Sequence, residues 1–176
     1  MNIIIFGPQG SGKGTQAQLL SETFGMHHVS SGDIIRDGAT LGDKKCLKLK
    51  KLLDNGELIP DKEITNIIKE HIKEDDNILD GFPRTIEQAH ALDDILTVDL
   101  VIELEVPDEE VIKRMKLRKR DDDKDELIAK RLEYYHDETE PIVEFYRPRG
   151  IVHIINANRD VQEIFNELVK LIEKMR

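Results

Sequence analysis

IIIFGPQGSGKGT, residues 3–15, is a short apolar run closed by a glycine-rich turn that ends in Lys13-Gly14-Thr15. Ile3–Phe6 has the length and unbroken apolarity of a strand buried on both faces. Beyond the turn, Ala17, Leu19, Leu20 and Phe24 recur at helical spacing. Between strand and helix, glycines let the backbone curl so that successive N–H groups point at the oxygens of an anion. The helix N-terminus adds a favourable dipole, and Lys13 adds a mobile charge. Strand, loop and helix in this order predict a phosphate cradle, with Gly10, Ser11, Gly12, Lys13, Gly14 and Thr15 as its candidate residues. The general pattern places Ser or Thr directly after the lysine. Gly14 stands there instead, so Thr15 becomes the candidate hydroxyl for phosphate or Mg²⁺.

The rest of the chain continues the alternation. Short strand candidates fall at 27–29, 78–80, 100–106 and 151–155, and helical stretches at 31–37, 41–54, 61–74, 85–96, 108–118, 123–136, 138–148 and 160–175. Asp108, after Pro107, is placed to cap one helix, and Asp123 with Glu126 forms a candidate capping box for the next. Such alternation predicts an α/β class, a three-layer P-loop fold with a five-stranded parallel sheet and helices on both faces. At 176 residues, with no repeat or linker, the chain reads as one domain spanning 1–176.

Composition narrows the function classes. A formal net charge of −10 argues against a nucleic-acid partner but leaves room for a local cationic pocket. The single cysteine, Cys46, excludes an internal disulfide and a cysteine zinc site, and the six histidines lack ligand spacing, so no structural zinc is expected. No apolar run has the length of a membrane span or the form of a secretory leader, which predicts a soluble cytoplasmic protein without a membrane partner. Tyr134, Tyr135 and Tyr146 read as packing residues.

A second motif, DGFPRTIEQ at 80–88, begins at a strand end, on the sheet edge where ligands bind in such folds. Asp80 is placed to hold a Mg²⁺-bound water beside the cradle. Gly81, Phe82 and Pro83 form a stiff turn presenting Arg84, whose guanidinium can fork onto a phosphate, and Gln88 can read a base edge one helical turn later.

Taken together, GPQGSGKGT, SSGDIIR (30–36) and DGFPRTIEQ resemble the adenylate kinase family from Met1 to about Glu173. The resemblance implies reversible Mg²⁺-dependent phosphoryl transfer from ATP to AMP, giving two ADP. It places Ser31, Arg36, Glu57, Leu58, Ile59, Gly81, Phe82, Pro83, Arg84 and Gln88 at AMP, within an inserted AMP-binding region at about 30–59. Asp33, like Asp80, would reach Mg²⁺ through water. The family usually has Thr where Ser31 stands; the hydroxyl is kept. Thr85 favours AMP over UMP or CMP.

The resemblance also accounts for RMKLRKRDDDKDE at 114–126. In the family a lid is inserted between two pairs of arginines. Arg114 and Arg118 match the pair before it, and Arg120 and Arg131 the pair after it, with only Lys119 between Arg118 and Arg120. The lid is thus reduced to a vestige at about 117–122. Lys13, Arg84, Arg118, Arg120 and Arg131 are the implied catalytic cations, with Arg114, Arg118 and Arg159 at ATP and Arg120 and Arg131 also at AMP. Asp122 and Asp123 would orient the arginines. INANRD (155–160) matches the loop that reads the ATP base, with Ala157 for a usual Gly and Asp160 for a frequent Pro. Two expectations follow from so short a lid: loose choice of the donor base, and a homo-oligomer in which another subunit covers the cleft. Rival readings are a UMP/CMP kinase, an idle nucleotide sensor, and a P-loop GTPase, whose [NT]-K-x-D and D-x-x-G motifs are missing.

Overall fold

The computed structural model describes residues 1–118 and 124–176; 119–123 lie outside the described residues, and with them Arg120, Asp122 and Asp123. Five strands, β1 (Ile3–Phe6), β2 (His27–Ser30), β3 (Asn77–Asp80), β4 (Leu100–Glu105) and β5 (Val152–Asn156), form one sheet in the order β2-β3-β1-β4-β5. Every pairing is parallel. β1 is central and buried throughout, as its unbroken apolar run requires.

Alternation along β1 splits the core in two. Ile3 and Ile5 pack on one side with Leu20 of α1 (Lys13–Phe24), Val111 and Met115 of α6 (Asp108–Arg118), Ile128 of α7 (Asp125–Tyr134) and Leu168 of α9 (Val161–Met175). Ile4 and Phe6 pack on the other with Ile35 of α2 (Ser31–Thr40), Leu49 of α3 (Lys44–Asp54), Ile68 of α4 (Asp61–His71), Leu92 of α5 (Ile86–Asp93) and Ile142 of α8 (Glu140–Tyr146). A period of two in the strand thus feeds two helical layers.

Helix ends correct several boundaries expected from sequence. Asp108 is the first residue of α6 rather than its cap: the Pro107 carbonyl accepts from the N–H groups of Glu110 and Val111, and the Asp108 carboxylate pairs with His136 at 3.2 Å. The start of α7 follows Lys124, which makes no side-chain cap bond; Asp123 of the expected capping box lies outside the described residues. A capping box occurs instead at α9, where the Asp160 carboxylate accepts from the Gln162 N–H at 2.8 Å and Glu163 reaches back. Between α7 and α8 the chain stays helical through a π turn, residues 135–139, in which the Glu140 N–H reaches the Tyr135 carbonyl. Pro141 supplies the reason: it has no N–H for the preceding turn, and the wider turn absorbs the mismatch.

At the opposite end from the glycine turn, Asn2 and Asn77 lock three strands. Both are almost fully buried. The Asn77 side-chain amide donates to Asn2 Oδ1 at 2.7 Å and to the Lys73 carbonyl at 2.9 Å, and its Oδ1 accepts from the Lys73 N–H at 2.9 Å. Asn2 in turn donates from its backbone to Asp99 at 2.6 Å and from its side chain to the Thr97 carbonyl at 3.0 Å. Asn77→Ala strands the Lys73 backbone groups without partners. The expected cost is about 1–3 kcal/mol in urea denaturation, with no change in nucleotide affinity.

Candidate active site

The carboxyl ends of β1, β3 and β2 converge at the point where the chain leaves β1 for opposite sides of the sheet, and the glycine turn sits there. Gly10 has φ +91°, and a Cβ on it would meet Met115 Cγ at 2.9 Å, so the loop is seated directly on α6. A Cβ on Gly14 would lie 3.3 Å from Asp80 Oδ2. That close approach gives a physical reason for the departure from the general motif.

Lys13 folds back on its own loop. Its ammonium donates to the carbonyls of Gly7 at 2.7 Å and Pro8 at 2.8 Å. Burial pulls its pKa down to about 8, with Arg84 and Arg118 lowering it further and Asp80 opposing. Asp80, at the end of β3, is 9% exposed. Its carboxylate lies 3.8 Å from His28 Nε2, an atom that is buried without a hydrogen-bond partner. His28 went unnoticed in the sequence because a histidine inside a strand carries no positional signature.

Arg84 is held from behind. Its Nε donates to the Gly81 carbonyl at 2.8 Å, which also accepts from Ser31 Oγ at 2.7 Å. Burial lowers its pKa, Asp80 counteracts, and Arg131 and Arg36 lower it further. Gln88 accepts from the Arg84 backbone N–H at 2.8 Å and donates to Asp61 Oδ1 at 2.7 Å, where Thr85 Oγ1 also donates at 2.9 Å. Its amide therefore keeps one N–H for a base. Asp61, the hub of this set, looked in sequence like an ordinary helix-start acid after Pro60. Phe82 is displaced from the expected role: its side chain is 1% exposed within the core, and the turn gives Gly81 and Pro83 to the cavity beside it.

One cleft of about 760 Å³ takes the loop residues Gly10 to Thr15 together with Arg36, Arg84, Arg114, Arg118, Arg131 and Arg159. Among the described residues, and counting Lys13, seven lysine and arginine side chains line it against three aspartates, Asp33, Asp80 and Asp160. The chain as a whole is acidic, so this reversal of sign marks the cleft as an anion site. Arg36 pairs with Asp33, Arg114 ties Glu110 at 2.9 Å to the Ala157 carbonyl at 3.1 Å, and Arg159 pairs with Glu167. Arg131 donates to the Leu53 carbonyl at 2.6 Å.

Against the cleft lies a smaller cavity of about 50 Å³, lined by Glu57, Leu58, Gly81, Pro83, Arg84 and Arg131, with Tyr134 and Tyr135 on its wall. These tyrosines therefore face a cavity as well as packing, and Tyr135 also donates to Glu103 at 3.3 Å. Ser31, Ile59 and Gln88 join Glu57 and Leu58 in a narrow recess beside it. Among the described residues no group of three acids, histidines or cysteines could hold a metal alone, and no helix is long and apolar enough to cross a membrane.

The adenylate kinase family model matches residues 5–151. The chain belongs to the adenylate kinase family. Over the full length of both chains it is 35% identical to the adenylate kinase of Archaeoglobus fulgidus and 36% identical to that of Methanothrix thermoacetophila. It is 41% identical to the adenylate kinase of Leptospira biflexa, over 97% of this chain and 98% of that one. The Archaeoglobus alignment runs over 216 positions, and the Leptospira one over 183. The first relative thus carries segments without counterpart in these 176 residues.

The lowered lysine pKa has a measurable consequence. In the unfolded chain Lys13 titrates near 10.5 and in the folded chain near 8. Affinity for inorganic tripolyphosphate, read by calorimetry, should therefore weaken as pH rises through 8. Between 8 and 10.5 the unfolded chain holds the extra proton, so the Lys13 contribution to stability rises with pH there. Lys13→Met should flatten both trends.

Proposed function

We propose that the protein catalyses reversible phosphoryl transfer from ATP to AMP, giving two ADP. The observation that carries this reading is the shared wall: Lys13, Arg84 and Arg131 line both the large cleft and the small cavity. ATP lies in the cleft with its phosphates on the glycine loop, and AMP lies in the cavity and recess with its phosphate on Arg84 and Arg131. The AMP phosphate oxygen attacks the γ-phosphorus as the bond to the β-phosphate oxygen breaks. That attacking phosphate is largely ionised at neutral pH, so no general base is required; positioning and charge stabilisation do the work.

The residues present suit Mg²⁺ held chiefly by nucleotide phosphates and water. Asp80, beside Lys13 and Gly14, and Asp33 are the carboxylates that would take such waters, and the ion would offset phosphate charge. Base selection at AMP falls to Gln88, fixed by Asp61, and to the Glu57–Leu58–Ile59 stretch. We also propose that the lid is vestigial. Six residues separate α6 from α7, and Lys116 and Asp125 at their facing ends pair at 3.0 Å. With so little to enclose the donor base, GTP is accepted alongside ATP, and a second subunit covers the cleft.

Mixing the protein with Mg²⁺, ATP and AMP should yield ADP, with UMP and CMP far poorer acceptors. Arg84→Ala should lower kcat/KM for AMP by about 10²–10³, and Arg84→Lys should restore little, because the fork is lost. No ADP, or equal rates with UMP, would remove the reading. A monomer in light scattering would remove the covering subunit.

A further inference from the structure

Among the described residues, six line both the cleft and the small cavity: Gln9, Lys13, Leu53, Gly81, Arg84 and Arg131. Three are the cations already placed at the phosphates, and two face the cavities beside backbone carbonyls that accept from those arginines. Gln9 remains. Its Oε1 is buried and has no hydrogen-bond partner. The loop does not need this side chain for its shape, since the positive φ angles fall on Gly7, Gly10 and Gly12 while Gln9 keeps an ordinary backbone. A buried amide oxygen without a donor is unfavourable, and native chains retain one where something later satisfies it.

We propose that Gln9 is a positioning residue for the transfer step: its Oε1 accepts an N–H from the guanidinium of Arg84 or Arg131 once both nucleotides are seated. The Arg84 guanidinium carries five N–H groups and its Nε is the one given to the Gly81 carbonyl, so donors remain after the phosphate is met. The carbonyl fixes the plane of the fork, and the fork fixes the phosphoryl oxygens. An amide suits the position because it accepts without adding negative charge beside the polyphosphate, as a carboxylate would. That role presupposes the phosphoryl transfer proposed above, for which the parent protein is the control.

Three variants test it: Gln9→Ala, Gln9→Met as the shape-preserving control, and Gln9→Glu. Both Gln9→Ala and Gln9→Met should lose about tenfold in kcat in either direction, with KM for ATP and AMP within twofold. The melting temperature of the empty protein should be unchanged or higher, because an unsatisfied oxygen has been removed. Gln9→Glu should be slower than either. In double-mutant cycles Gln9→Ala should be non-additive with Arg84→Lys or with Arg131→Lys. The proposal is overturned if Gln9→Met turns over like the parent, if the loss in Gln9→Ala tracks a fallen melting temperature, or if both cycles are additive. Absence of ADP formation by the parent would overturn the kinase reading itself.

Discussion

The site is arranged around a half-buried concentration of like charge. Lys13, Arg84 and Arg131 converge at the carboxyl edge of β1 and β3, and Asp80 is the carboxylate that offsets the first two. Each cation is also pinned to backbone oxygen: Lys13 to Gly7 and Pro8, Arg84 to Gly81, Arg131 to Leu53. Carbonyls hold the cations without cancelling them, which leaves the site attractive to polyphosphate. The central sheet supplies the rigidity this needs, with β1 buried on both faces and paired on both sides.

Carbonyl contacts also join separate elements of the fold. Arg131 and Lys130, both on α7, reach the Leu53 and Asn55 carbonyls at 2.6 and 3.3 Å, and so tie the arginine-bearing helix to the end of α3.

Much of this was legible in the sequence, for identifiable reasons. Ile3–Phe6 and the glycine turn announce themselves because both backbone shape and burial are encoded in residue type. Lys13, Asp80 and Arg84 are legible for the same reason, lying at fixed offsets from strand ends. What stayed hidden has no side-chain signature on one of its partners: the carbonyls of Leu53, Gly81 and Ala157 that seat the arginines, and the hub at Asp61. Phe82 was misplaced because a motif names a stretch without saying which of its members turns inward. The run from α7 to α8 was read as two helices, 123–136 and 138–148, because the π turn that bridges them leaves no pattern of its own. Gln9 was not among the cradle residues singled out, which began at Gly10; the burial of its oxygen is what marks it.

The most direct measurement is calorimetric titration with diadenosine pentaphosphate, one molecule able to fill cleft and cavity at once. If both nucleotides meet phosphate to phosphate across Lys13, Arg84 and Arg131, one equivalent should bind each chain far more tightly than ATP or AMP alone, and Arg84→Ala should abolish the advantage. Two equivalents per chain, or an affinity no better than that of ATP, would contradict the account.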